Sequence, residues 1–280
     1  MSEKTHRRSG PERWSRWERP KSSKGRRPGR LLTAFKALVL LVIVAVTGYG
    51  MLDVNLVGDE RMLPFAAGIL ALLFITLFVR SFYADVPAVG WVLVGLMGAL
   101  VAVKGLSMLW TVSEAETIKE TLRSSMYLAT FLMSLAALSS WRQVWPLVDM
   151  VCLIVAGVAG YGLLQKIEPL RYPVASLDGV RVDSTLGYSN TAAVVLAMGA
   201  VLALARMARM RGVVFRGVYA ALLLAFLAAL YLTVSRGGIG SLAVGLALLL
   251  VLANNRLQTV ANLLLVALPG AWLWWSSRGL

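Results

Sequence analysis

The sequence predicts an all-α, polytopic integral membrane protein with about nine transmembrane helices and a cytoplasmic N-terminus. Three observations carry that prediction. The 280-residue chain is 58% hydrophobic and 15% charged, whereas soluble domains are about 45–50% apolar and about 25% charged. Long apolar runs recur along it, and about 20 apolar residues cross the ~30 Å of hydrocarbon. The net charge of +14 is uneven: positions 1–30 hold eleven Lys/Arg against three Glu, and the remaining 250 residues hold 17 against 11. An ordinary cytosolic enzyme and a disordered chain are excluded. So is a disulfide scaffold, because Cys152 is the single cysteine.

Residues 1–30 read as a basic, disordered tail. Arg, Lys, Pro, Ser and Gly with almost no aliphatics cannot bury enough surface to offset the entropy of ordering. Three roles are open to it: nucleic-acid binding, adhesion to anionic headgroups with Trp14 and Trp17 at the interface, and retention of the N-terminus in the cytoplasm. The apolar run that follows at once favours retention, and no nucleic-acid partner is expected.

The transmembrane domain occupies 31–280. Its first span is 31–52. This segment is longer than the 7–15-residue core of a signal peptide and lacks a clean small-residue cleavage site. Further runs lie at 62–80, 86–109, 123–140, 144–164, 190–205, 217–234, 238–253 and 258–276. With the tail inside, the inner connections carry Arg80, Arg142, Arg206, Arg209, Arg211, Arg216 and Arg256 against Asp85. The outer ones carry nine acids and eight basic residues. The excess of Lys/Arg on one side sets the orientation. Lys36 lies near a span end and is expected to snorkel to the inner headgroups.

Two outer segments stand out. Ser113 and Glu116 have capping-box spacing, so the polar stretch 110–123 reads as a helix leading straight into the fourth span. The connection 165–189 is the longest, and long loops in compact proteins tend to be functional or disordered. The glycine pairs Gly95/Gly98 and Gly157/Gly160 suit close helix packing.

Catalytic residue types are scarce. The single histidine, His6, is in the tail, no Cys/His/acid cluster has metal-ligand spacing, and no phosphate-binding glycine fingerprint occurs. No metal or cofactor is expected. Cys152 reads as a core thiol. Arginines of the outer side remain: Arg181, just before the sixth span, and Arg236, at the junction of the seventh and eighth. A guanidinium suits phosphate because its planar fork donates parallel hydrogen bonds and keeps its charge. Asn190, between Ser189 and Thr191, opens the sixth helix, and a helix N-terminus favours anions. The glycines after Arg236 would let backbone approach a ligand. Plainer readings stand beside these: Arg236 as an interface anchor, Gly237–Gly238 as a turn, and Asn190 as an ordinary N-cap.

The stretches Arg181-Val-Asp-Ser184-Thr185-Leu186-Gly187-Tyr188-Ser189-Asn190 and Thr233-Val-Ser235-Arg236-Gly237-Gly238 resemble motifs of the O-antigen ligase and O-antigen polymerase family. So does Trp110-Thr-Val-Ser113 leading into a charged outer helix. The resemblance covers most of 31–276. It implies a bacterial inner-membrane glycosyltransferase that takes a glycan from an undecaprenyl-pyrophosphate carrier on the outer face. Arg181 and Arg236 would hold the leaving pyrophosphate, with Asn190 shaping the helix end beside it; membrane lipids would be the other partners. The family's Gly-Asn-Pro-Asn is Gly187-Tyr188-Ser189-Asn190 here. Its catalytic histidine sits in a large outer domain after these spans, whereas this chain reaches Leu280. The resemblance therefore implies the N-terminal portion of a longer protein, with no catalytic residue of its own and no transfer by these 280 residues alone. Two other functions compete. A transporter or lipid flippase would rest on Lys104 and Asp149 inside spans, and a non-catalytic subunit would bind a partner through its tail.

Overall fold

Runs this apolar, with backbone that must satisfy itself in lipid, leave the helix as the only open-chain solution. A computed structural model of the chain describes residues 29–53, 59–138, 141–173, 181–210, 212–253 and 256–265. The readings made for the tail and for the far part of the ninth span lie outside these residues. Among them there is no strand. The helices are α1 (Arg30–Leu52), α2 (Asp59–Leu77), α3 (Ala88–Leu106), α4 (Glu114–Ala137), α5 (Trp141–Ile167), α6 (Ser189–Arg209), α7 (Val213–Leu232) and α8 (Arg236–Leu252), followed by helical residues 256–265. Five helices are long and apolar enough to cross a membrane; Leu63–Leu77 and Arg236–Leu252 are shorter apolar helices.

The apolar faces are not all used against protein. In the most apolar 18-residue stretch of Ala88–Leu109 no residue is buried, yet its mean hydropathy is 2.1, while 56% of the corresponding stretch of Ser189–Arg209 is buried at a mean hydropathy of 1.9. An outer helix that is apolar all round needs an apolar surrounding, as a multi-pass membrane protein has.

Two cores result. Val39, Ile43, Ile69, Phe82, Ala129 and Met133 join α1, α2 and α4. Cys152, Val155, Leu196, Leu204, Leu223 and Phe226 join α5, α6 and α7. Cys152 is a buried core thiol, as expected. The central α6 is built of small residues, among them Ala192, Ala193, Ala197, Ala200 and Ala203, which let neighbouring backbones come close.

The glycines that permit close approach are mostly not the expected ones. A Cβ on Gly157 would lie 2.7 Å from Leu52, but Gly95 and Gly160 face open space and Gly98 has only Leu128 at 4.0 Å. Gly199 against Val155 (2.5 Å) and Gly238 against Ala193 (2.4 Å) are the tight crossings.

Polar contacts order the helix ends. Thr185 reaches the carbonyl of Met51 and Arg181 that of Thr233. The C-terminal ends of α1, α5 and α7 thus gather with the N-terminal ends of α6 and α8. Lys36 with Asp85, and Asp149 with Arg206 and Tyr219, gather the opposite ends.

Two local expectations change. The helix does run unbroken from Glu114 through the fourth span, and Ser113 is its N-cap residue, but its side chain makes no capping bond. Instead Thr111 and Thr117 share a 2.7 Å bond, and Ser113 donates its N–H to Thr111. Lys36 does not snorkel. It is 1% exposed, lies 3.0 Å from Asp85 and sits over the Phe82 ring, because a partner 49 residues away outcompetes the headgroups. Lys104 is also paired, 2.9 Å from Ser124 and 3.5 Å from Glu120.

Candidate functional site

The approach to the site begins in the loop before α6. Its polar residues would be costly to bury unpaired, and they are paired. Gln165, near the end of α5, donates to the Asp183 carboxylate at 2.8 Å and to the Pro173 carbonyl at 3.1 Å. Its own carbonyl accepts the Ser184 N–H at 2.8 Å. Ser184 donates its hydroxyl to Val158, and the Val182 N–H reaches the Leu232 carbonyl at 3.1 Å. Residues 182–185 are therefore buried, not an open surface loop.

The turn has backbone costs. Ser184 has φ 56° and Gly187 φ 64°. A left-handed residue is free for glycine but costly for others, which accounts for the Gly in the Thr185-Leu186-Gly187 stretch.

The chain then enters α6, whose N-cap position is Tyr188 and not Asn190. Asn190 is a bridge. Its Oδ1 accepts from Arg181 (3.1 Å) and from the Ser235 hydroxyl (2.9 Å), and its Nδ2 donates to the Tyr188 hydroxyl (2.9 Å). Arg181 also donates through Nε to the Thr233 carbonyl at 3.1 Å.

From the other side, α7 ends at Leu232 and the chain reverses in three residues. Val234 takes φ 51°, an outlier for a β-branched residue. Ser235 caps α8 by accepting the Gly238 N–H at 3.1 Å. Arg236 is the first residue of α8 and is exposed. Among the described residues it has neither a hydrogen bond nor an ion pair.

Arg181 and Asn190 are thus brought into direct contact, and Ser235 joins them to the start of α8, where Arg236 stands. Gly237 is exposed, and its surroundings are open apart from Ser235 Oγ at 3.9 Å; Gly238 is buried in helix packing. Only the first suits backbone approach to a ligand. Gln165, Asp183, Tyr188, Thr233 and Ser235 were not singled out from the sequence as site residues. For Ser235 the signal was its place in the quoted motif; Gln165 offered none.

The arrangement is a cationic corner. A helix N-terminus with its orphan N–H groups, one unpaired guanidinium and a second one tethered nearby favour an anion. A groove of about 370 Å³ between α1 and α5, lined by Leu38, Leu41, Val44, Pro146 and Leu147, has nothing comparable. No group of three or more His, Cys, Asp or Glu among the described residues could hold a metal ion. The two intramembrane charges behind the transport reading are both engaged: Lys104 as above, and Asp149 with Arg206 at 2.5 and 2.7 Å.

Comparison of the chain with protein-family models, with curated proteins and with solved structures finds no match.

Proposed function

We propose that the chain is a bacterial inner-membrane protein of the O-antigen ligase and polymerase type. In this reading it receives the pyrophosphate of an undecaprenyl-linked glycan on the outer face, at the corner formed by Arg181, Asn190, Ser235 and Arg236. The observation that carries the proposal is Arg236: an exposed guanidinium at a capped helix N-terminus, unpaired among the described residues and preceded by a strained Val234. Residues in sparsely populated backbone conformations persist where the surroundings enforce them, and they cluster at ligand sites.

The chemistry follows from charge. When the bond from the sugar to the carrier breaks, negative charge grows on the departing pyrophosphate. Arg236 stabilises that charge in place, and Arg181 adds a second cation from across the turn. Asn190 and Ser235 set the spacing between the two segments. The leaving group is already activated by its lipid pyrophosphate, so these residues need only bind, orient and stabilise it. In this reading the Lys/Arg excess keeps the Arg206 end in the cytoplasm and leaves the Arg236 end outside.

The test is binding of undecaprenyl pyrophosphate to the full chain in lipid nanodiscs, with undecaprenyl monophosphate alongside. Hydrogen bonds to charged groups contribute about 1.5–3 kcal/mol. Arg236→Gln should therefore weaken pyrophosphate binding by roughly 10- to 100-fold and leave the melting temperature unchanged. Wild-type affinity in that variant would overturn the proposal.

A further inference from the structure

The opposite end of the bundle carries a second arrangement of arginines, unrelated to the corner above. Arg206 and Arg209 lie one turn apart at the end of α6 and share one aromatic ring. Their guanidinium carbons are 5.4 and 4.5 Å from the centroid of Trp145. Their electrostatic situations differ. Arg206 is neutralised by Asp149, and the Tyr219 hydroxyl takes a further bond to the same carboxylate at 2.5 Å. Arg209 is exposed, and no described carboxylate lies within ion-pair distance of it. Arg216, in the first turn of α7, donates to the neutral amide of Asn262 at 2.8 Å. Of these three guanidiniums only Arg206 meets a described carboxylate.

The ring contact matters for what Arg209 can bind. It holds the flexible side chain, with the guanidinium carbon over the Trp145 ring. The in-plane N–H groups stay available, and they match two oxygens of a phosphate. The half-buried Trp145 is a residue type that prefers the depth where hydrocarbon meets headgroups. An anion always present at that depth is the phosphate of a phospholipid.

We infer that Trp145, Arg206 and Arg209 form a binding site for the headgroup phosphate of an anionic phospholipid. Arg209 makes the direct contact. Arg206, locked by Asp149, keeps the ring and the second cation in place. Basic pockets between transmembrane helices hold such headgroups.

The experiment uses the purified full chain, stripped of lipid in mild detergent and offered equal amounts of phosphatidylglycerol and phosphatidylcholine with matched acyl chains. Native mass spectrometry counts what stays bound. The wild type should retain phosphatidylglycerol preferentially. Arg209→Gln should lower that preference about fivefold, and Arg209→Lys, which keeps charge but not the fork, should fall between. Equal retention of the two lipids by the wild type, or an unchanged preference in Arg209→Gln, would overturn the assignment. So would loss of the preference in Arg236→Gln, which would move the lipid to the other end. Thermal stabilisation by inorganic phosphate equal to that by phosphatidylglycerol would show a free-anion site instead.

Discussion

The two ends of the bundle handle arginine in opposite ways. At one end Arg206 is 14% exposed and clamped by Asp149 through two bonds. At the other, Arg236 is exposed and meets no described partner, while a network of neutral acceptors, Asn190 and the Thr233 carbonyl, ties down the neighbouring Arg181. Membrane proteins pair intramembrane charges unless a ligand or water will meet them. The difference separates an arginine that joins helices from one left for something outside the chain. Substitutions at three places probe it: the Asp149–Arg206 pair, Gly237–Gly238 and Val234.

The largest effect on stability should come from Asp149→Ala. It leaves Arg206 and the Tyr219 hydroxyl without their carboxylate. Breaking a fully buried ion pair costs about 3–5 kcal/mol, and single hydrogen bonds between membrane helices average about 0.6 kcal/mol. Asp149 is 36% exposed, so the loss should lie between, near 2 kcal/mol. Pairing the change with Arg206→Met should restore most of it, because no charge then stands alone. Thermal unfolding in detergent measures both. A single variant as stable as the wild type would mean that the two ends do not differ in this way.

Next is the contrast within Gly237–Gly238. A Cβ at 238 would lie 2.4 Å from Ala193 Cβ and 3.3 Å from that residue's backbone carbon. Neither atom belongs to a flexible side-chain end that could swing aside, so α8 must shift from α6. Gly238→Ala should cost about 1–3 kcal/mol. Gly237→Ala meets only Ser235 Oγ at 3.9 Å and should be neutral or gain up to about 1 kcal/mol from helix propensity. If Gly237→Ala nevertheless weakens pyrophosphate binding, the ligand approaches the backbone at that position.

What the sequence revealed about this division depended on the range of the interaction. Helix positions were legible from run length, since crossing hydrocarbon is a local demand of about 20 residues, though only five of these helices are long and apolar enough to cross a membrane. The helix from Glu114 was legible from Ser113 and Glu116, although Ser113 makes no side-chain cap and Thr111 and Thr117 bond each other instead. Arg181, Asn190 and Arg236 could be picked out as charge or polarity at span ends, but not their connections. Arg181 and Thr233 are 52 residues apart, and Asn190 and Ser235 are 45. Lys36 shows the same limit. Its position near a span end suggests snorkelling, while its burial depends on Asp85 in a different connection. Length likewise made the connection 165–189 read as functional or disordered, while 182–185 within it are buried. Gln165 buries them by matching their donors and acceptors, and nothing in the sequence around Gln165 announces that.

The smallest stability effect, and the one that links strain to readiness, is at Val234. A left-handed conformation costs an L-residue about 1–2 kcal/mol, and the branched Val234 at φ 51° has no way round it. Glycine removes that penalty but adds about 0.5–1 kcal/mol of backbone entropy. Val234→Gly should therefore change stability by less than about 1 kcal/mol, on the stabilising side. Its effect on binding should have the opposite sign. Val234 stands two residues before Arg236 and one before the cap Ser235, and a looser turn holds the guanidinium less firmly for an incoming anion. Pyrophosphate affinity should fall a few-fold while the melting temperature holds or rises. Unchanged affinity in a stabilised variant would show that the strain does nothing for Arg236. A clear loss of stability would show that the turn needs the valine side chain for packing, and the free arginine would then owe its position to the Ser235 cap alone.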